Sequence, residues 1–186
     1  MAVIVFSVIL FAHTLVRALF YTSGEQEARI SASVSTSTDY SIPTRLLIPK
    51  IHVDAKVLEM GLTTKGNMEA PHNFTDVGWY KYGPKPGEMG SAVIDGHVDN
   101  GLSLPAVFID LKKLTSGDDI YVTEGDKTLH FVVQNVERYY YKSAPTDIIF
   151  NRTDLRRLNL ITCDGDWVTL DKTADHRVVV YAVLKE

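Results

Sequence analysis

About eight short β-favouring runs, cut by turn residues, occupy the chain from Pro43 to its end, and this pattern narrows the fold most. The runs lie at 45–51, 55–60, 77–82, 91–95, 120–123, 128–141, 158–162 and 176–184. Val, Ile, Leu and aromatic residues dominate them, as strands require. Gly66-Asn67, Ala70-Pro71, the Pro/Gly-rich stretch 81–90 and Ser116-Gly117-Asp118-Asp119 break the chain between them. The runs at 120–123 and 128–141 read as a hairpin across 124–127. Pro49 marks the first run as edge-like. Only 105–114 carries apolar residues at helical spacing, namely Val107, Phe108, Leu111 and Leu114. A helical turn is also expected at 153–157. Many short strands with one or two short helices predict a mainly β domain, closed barrel or sandwich.

The 186 residues suffice for one such domain and a tail, and 45% hydrophobic content against 23% charged supports a packed core. A net charge of -4 with no basic block argues against nucleic acid as a partner. One cysteine excludes an internal disulfide and a cysteine-rich zinc site. No cofactor is expected.

Residues 1–21 are almost wholly apolar, interrupted by Ser7, His13, Thr14 and Arg17. A full span needs about 20 apolar residues, and Arg17 near the end of the stretch can snorkel. The segment is expected to be a single-pass membrane anchor, with a cleaved signal peptide as the second reading. No basic residue precedes it, which departs from the usual signal peptide. A core helix is a third reading, but a terminal helix this apolar rarely finds a soluble core to fill. Residues 22–41 are rich in Ser and Thr without apolar periodicity and read as a linker. Residues 42–186 form the folded domain.

The sole cysteine, Cys163, follows the apolar run 158–162 and precedes Asp164-Gly165-Asp166. A thiol at a strand end is held by the sheet and open to substrate, which suits a nucleophile. The plainer reading is a buried cysteine acting as a small hydrophobe. A free thiol is mostly protonated at neutral pH and needs a basic or cationic neighbour. Of six histidines, His97 alone sits just past a buried run in a Gly-His-Val-Asp-Asn-Gly turn, the same kind of platform as Cys163. A solvated surface histidine is its alternative. Acyl chemistry also needs a donor for the developing oxyanion. Arg177, fourteen residues after Cys163, leaves room for a loop and a return strand beside the cysteine strand. A charge opening a strand can equally serve solubility alone. Asp95, His97 and Asp99 alternate as metal ligands might on a strand, but Gly96 argues that the strand stops there.

These residues resemble the sortases, membrane-anchored cysteine transpeptidases. The likeness rests on Leu-Leu-Ile-Pro-Lys-Ile-His-Val-Asp-Ala-Lys-Val from Leu46, Gly78-Trp79-Tyr80, and the Gly96-His97 pair. It extends through Pro105-Ala106-Val107-Phe108, Leu160-Ile161-Thr162-Cys163 and Arg177-Val178-Val179-Val180-Tyr181-Ala182. It covers about 42–186 and is closest to the class labelled F. Asn159 stands where the family's Thr-Leu-x-Thr-Cys signature has Thr. The resemblance implies a closed eight-stranded β-barrel and a catalytic set of Cys163, His97 and Arg177. It implies a Leu-Pro-x-Thr-Gly-like (LPxTG) sorting signal as substrate, cleaved at Thr–Gly through a thioacyl-enzyme. The acceptor would be an amine of the cell wall or a pilin, and the domain would stand outside the cell membrane. Thr162, beside the cysteine, is expected to line the substrate pocket. A cysteine hydrolase of similar peptides and a non-catalytic surface-binding barrel are the alternatives.

Overall fold

In the computed structural model of this chain, residues 40–100, 102 and 104–186 are described. The membrane helix expected over 1–21 lies outside the described residues, as does the linker expected over 22–41 except Tyr40 and Ser41. Among the described residues, no helix is long and apolar enough to cross a membrane. Tyr40 is buried, and its carbonyl accepts a hydrogen bond from Lys85 Nζ at 2.6 Å.

The strands are β1 (Pro43–Ile48), β2 (Val53–Met60), β3 (Val77–Tyr80), β4 (Gly90–Asp95), β5 (Asp119–Glu124), β6 (Lys127–Tyr140), β7 (Arg156–Val168) and β8 (Thr173–Leu184). They close into a barrel in the order β1-β2-β3-β4-β7-β8-β6-β5. The β2–β3 and β4–β7 pairs are parallel and the remaining neighbours antiparallel. A parallel pair needs a long crossover. The crossover from β4 to β7 carries β5, β6 and a short helix, α1 (Thr146–Phe150). This is the mainly β, closed eight-stranded architecture that the resemblance implies.

Period-two alternation explains why the sheet closes. Ala92 and Ile94 of β4, Leu158 and Leu160 of β7, and Val178, Val180 and Ala182 of β8 all point into the barrel core. Fully burying each larger aliphatic side chain stabilises the fold by about 1.5–3 kcal/mol. The alternate residues Val93, Ile161, Val179 and Tyr181 face outward. They build a second apolar cluster with Tyr139 and with Ile149 and Phe150 of α1. One stretch of the barrel wall is therefore apolar on both faces.

Several local expectations are corrected. The helical turn lies at Thr146–Phe150, not at 153–157. Pro145 precedes the helix and Asp147 sits in its first turn, where a carboxylate suits the helix dipole. Arg156 and Arg157 instead begin β7, paired with Gly90 and Ser91. The first run ends at Ile48 because Pro49, which lacks an N–H, opens a 3-10 turn (Pro49–Ile51). The stretch 105–114 is tight turns ending in a 3-10 turn (Leu111–Lys113), held by buried Phe108, Leu111 and Leu114. The cysteine strand does not stop at Asp164-Gly165-Asp166. Between Asp164 and Trp167 the β7–β8 register shifts, and Gly165 has φ +86°. A bulge absorbs the turn-forming residues, and glycine supplies the left-handed conformation it needs. β8 likewise starts at Thr173, so Arg177 lies within the strand rather than opening it.

Candidate active site

β4 and β7 run parallel, with Asp95 opposite Ile161. That last pair is closed by Gly96 N, which donates to Ile161 O at 3.1 Å. Thr162 Oγ1 donates to Gly96 O at 2.8 Å. His97 and Cys163 each lie two residues beyond this last β4–β7 pair. On the other side of β7, Cys163 is in direct register with Arg177 of β8. Adjacent strands lie about 4.8 Å apart. Cys163 therefore lies beside Arg177, at the barrel end where β4 runs out toward His97.

Cys163 is a free thiol, partly exposed on the outer face that Ile161 shares. His97 is clamped from two directions. Its Nε2 lies 2.8 Å from Pro71 O, and its ring meets the Phe74 ring at 5.1 Å between centroids. A carbonyl oxygen only accepts, so Nε2 carries the hydrogen and Nδ1 remains for proton transfer. Phe108 N donates to His97 O at 2.9 Å, which fixes the backbone of the turn. Arg177 is held by its own strand end. Its Nη1 donates to Ala174 O at 2.9 Å and His176 O at 2.8 Å, and its Nη2 to Thr173 Oγ1 at 2.6 Å. The guanidinium lies 5.8 Å from the Tyr141 ring centroid, a cation–π contact. A guanidinium has five N–H donors in a fixed fork. Three are engaged here, which leaves donors for a substrate carbonyl.

A groove of about 940 Å³, with Arg177 on its lining, runs along the outer face of the barrel. Ile161, Val179 and Asp95 form its floor, Ile149 and Phe150 of α1 one wall, and Leu62 and Met68 the other. Tyr141, Lys142 and Asp171 form a hydrogen-bonded cluster on its lining, with Tyr141 Oη donating to the Asp171 carboxylate and Lys142 Nζ 3.0 Å from it. Arg177 belongs to the same lining. Apart from Asp95 its floor is apolar, and Arg177, the register partner of Cys163, lies on its lining. That geometry suits an extended peptide lying on the sheet.

Thr162, expected to line the pocket, does not. It points into the barrel, is 4% exposed, and spends its hydroxyl on Gly96 O. Strand alternation puts it on the face opposite Cys163, so it ties β7 to the His97 turn from below. Asn159, where the family signature has Thr, is fully buried and donates to Ile149 O at 2.6 Å. It fastens α1, a wall of the groove, onto β7. An amide inside an apolar run is a signal that a buried carbonyl needs a partner. Asp164 follows the cysteine on the opposite face. Burial works against its charge, but Arg138 at 2.6 Å and Lys112 at 3.0 Å outweigh that and hold its carboxyl below the ordinary range.

Asp95 is the residue that sequence reading placed only in a possible metal set. β4 ends at Asp95, so Asp95, His97 and Asp99 share no strand face. Among the described residues, no cluster of three His, Cys, Asp or Glu side chains is placed to hold a metal ion. Asp95 instead lies in the groove floor with Oδ1 buried and without a hydrogen-bond partner. Burial pushes its carboxyl up to about 8. Gly78, opposite it on β3, makes this possible, because a Cβ there would stand 2.6 Å from Asp95 Oδ1.

Comparison with known proteins follows this geometry. A family model described as Sortase domain matches residues 46–185. The fold is similar to sortase C-1 from Actinomyces oris, with 23% identity, 77% of this chain and 73% of that chain covered, and a TM-score of 0.62. It is similar to a lid mutant of sortase A from Corynebacterium diphtheriae, with 20% identity, 82% and 74% covered, and a TM-score of 0.61. It is also similar to a Clostridium perfringens sortase D5 transpeptidase, with 21% identity, 77% and 79% covered, and a TM-score of 0.57. No curated protein matches the sequence significantly. The likeness to class F remains an expectation from the sequence.

Proposed function

The chain belongs to the sortase family, and from that premise we propose that it is a cysteine transpeptidase that joins surface proteins to an amine acceptor. The observation that carries this reading is the register that pairs Cys163 with Arg177, whose side chain lines a largely apolar groove, with His97 two residues past the last β4–β7 pair. The substrate is an LPxTG-like sorting signal laid along that groove. The Cys163 sulfur, as thiolate, attacks the threonine carbonyl carbon. The C–S bond forms as the Thr–Gly C–N bond breaks, and the leaving glycine amine takes its proton from His97 Nδ1. The incoming amine then attacks the thioester and returns a proton to His97, and its new C–N bond displaces the Cys163 thiolate. Arg177 donates its remaining N–H groups to the carbonyl oxygen as charge develops on it in each step.

Pro71 supports this assignment through His97. By accepting the Nε2 hydrogen it fixes the ring so that Nδ1 is the nitrogen left for transfer. The same proposal places the chain in the cell membrane through residues 1–21, with the barrel outside the cell. The acceptor is an amine of the cell wall or of a pilin subunit.

The full chain in detergent micelles, incubated with an LPxTG peptide and a glycine-peptide acceptor, is expected to yield a ligated product by mass spectrometry. The Cys163→Ala variant is expected to yield none. Cleavage to the free acid with acceptor present would favour hydrolysis. Absence of both turnover and acyl-enzyme mass would count against the catalytic assignment.

A further inference from the structure

We propose that Asp95 is a specificity-determining residue of the groove, hydrogen-bonding a hydroxyl or amide side chain of the bound peptide two or three residues from the scissile bond. This inference rests on the transpeptidase reading above and deepens it.

The position follows from register. Asp95 is opposite Ile161, and Cys163 is two residues further along β7. One strand spacing of about 4.8 Å and two residue steps of about 3.3 Å put the Asp95 and Cys163 Cα atoms about 8 Å apart. An extended peptide advances about 3.3 Å per residue, so that gap spans two to three residues. Asp95 shares the outer face with Ile161 and Cys163, because it and Ile161 line one groove.

The chemistry follows from its surroundings. Its floor neighbours Ile161 and Val179 and the walls Ile149 and Phe150 have no side-chain hydrogen-bonding group. Asp95 Oδ1 is buried with no partner among the described residues. A buried polar atom without a partner costs stability and calls for an explanation, and on a groove lining a bound ligand's polar group supplies one. Gly78 leaves the space that the carboxyl occupies, so the arrangement depends on two strands at once. The titratable and charged groups lining the groove with it are Tyr80 from β3, Tyr141 and Lys142 after β6, Asp171 and Lys172 before β8, and Arg177 from β8. Asp171 is engaged by Tyr141 and Lys142, and Arg177 by its own strand end. Burial pushes the Asp95 carboxyl up to about 8, which favours its neutral form at pH 7. In that state it both donates and accepts, which matches a hydroxyl or amide better than an ammonium group. A site built to bond such a group rejects the analogue that lacks it, since its own polar atom is then left unpaired.

Peptides differing only by Thr or Val, or by Asn or Leu, at each of the two or three positions on either side of the scissile bond test this. Acylation of Cys163 in the full chain is followed for each as kcat/KM. The wild type is expected to favour Thr over Val at one position by about tenfold or more, the size of one buried neutral hydrogen bond with its penalty. Asp95→Ala is expected to bring that ratio close to one. Asp95→Asn, which keeps a neutral donor and acceptor, is expected to retain most of it. Thermal melting of both variants checks folding, and removing the unpaired carboxyl is expected not to lower the midpoint. A Thr/Val ratio near one at every position, or one unchanged in Asp95→Ala, overturns the inference and leaves the transpeptidase reading standing. A library in which no peptide acylates Cys163 overturns that reading, and this inference with it.

Discussion

The two faces of β7 divide the work of the molecule. Leu158, Leu160 and Thr162 look inward, where the leucines fill the barrel core and Thr162 ties the strand to Gly96. Asn159, Ile161 and Cys163 look outward, where Asn159 fastens α1, Ile161 paves the groove and Cys163 carries the thiol. Neighbours in sequence thus answer to different demands. The inward face is set by packing density, which tolerates little change in volume. The outward face is set by what must meet a substrate. Substitutions on one face should move stability with little direct effect on chemistry, and on the other the reverse.

The largest separation is expected between Cys163→Ala and Leu160→Ala. Losing the nucleophile should lower transpeptidation at least about a thousandfold, because no other group forms the thioester. Its unfolding free energy should change by less than about 1 kcal/mol, since the side chain is partly exposed. Leu160→Ala should cost about 2–5 kcal/mol in urea unfolding, through lost burial and the cavity left behind. A fully active, strongly destabilised Cys163→Ala would invert the comparison.

Next in size is Arg177→Lys. It keeps the charge but loses the fork that spans Ala174 O, His176 O and Thr173 while facing the groove. A drop in kcat of about a hundredfold is expected, comparable to loss of one oxyanion donor. Thermal stability should change little. A variant with unaltered kcat would place Arg177 among residues that only finish the strand end.

Thr162→Val crosses the divide. The substitution keeps the inward shape but leaves Gly96 O unpaired, at a cost of about 1–3 kcal/mol. Since Gly96 carries His97, kcat should also fall, by more than in a core variant of equal stability such as Leu158→Val. Equal kcat in the two would mean that the hydrogen bond serves the core alone.

A further comparison is the pH dependence of stability contributed by Asp95. Its folded value of about 8 lies above the ordinary 3.8, so the unfolded chain releases that proton first. The folded state then binds more protons than the unfolded one between these values, and stability falls as pH rises from about 4 to about 8. Above that range the contribution is constant. Urea unfolding across this range should show a shallower decline for Asp95→Asn than for the wild type.

The parts legible in the sequence are those governed by local periodicity. The β4 run, the β5–β6 hairpin and the β8 run carry their strand pattern openly, and Cys163 and Arg177, which the β7–β8 register pairs, each stand beside such a run. What sequence could not show depends on partners distant in the chain. Asp164-Gly165-Asp166 reads as a turn, yet β8 captures it as a bulge, with Asp166 N donating to Asp175 at 2.9 Å. The helix α1 has only five residues and no sustained period, so it read as loop. Thr162 looked like a pocket residue by adjacency to Cys163, but alternation turns it inward. Asp95 gave no sign of its role because its burial comes from β3 and β7, which only the closed barrel sets beside it.

The account turns on His97, Cys163 and Arg177 meeting one substrate on the outer face. The most direct measurement is a crystal structure of the chain with a sorting-signal peptide mimic joined to Cys163 through sulfur. The expected result is a peptide lying over Ile161 and Val179. The carbonyl on Cys163 should sit within hydrogen-bond reach of Arg177, and His97 Nδ1 should face the leaving side. A peptide running off the opposite side of β7, or one that meets neither His97 nor Arg177, would contradict the account.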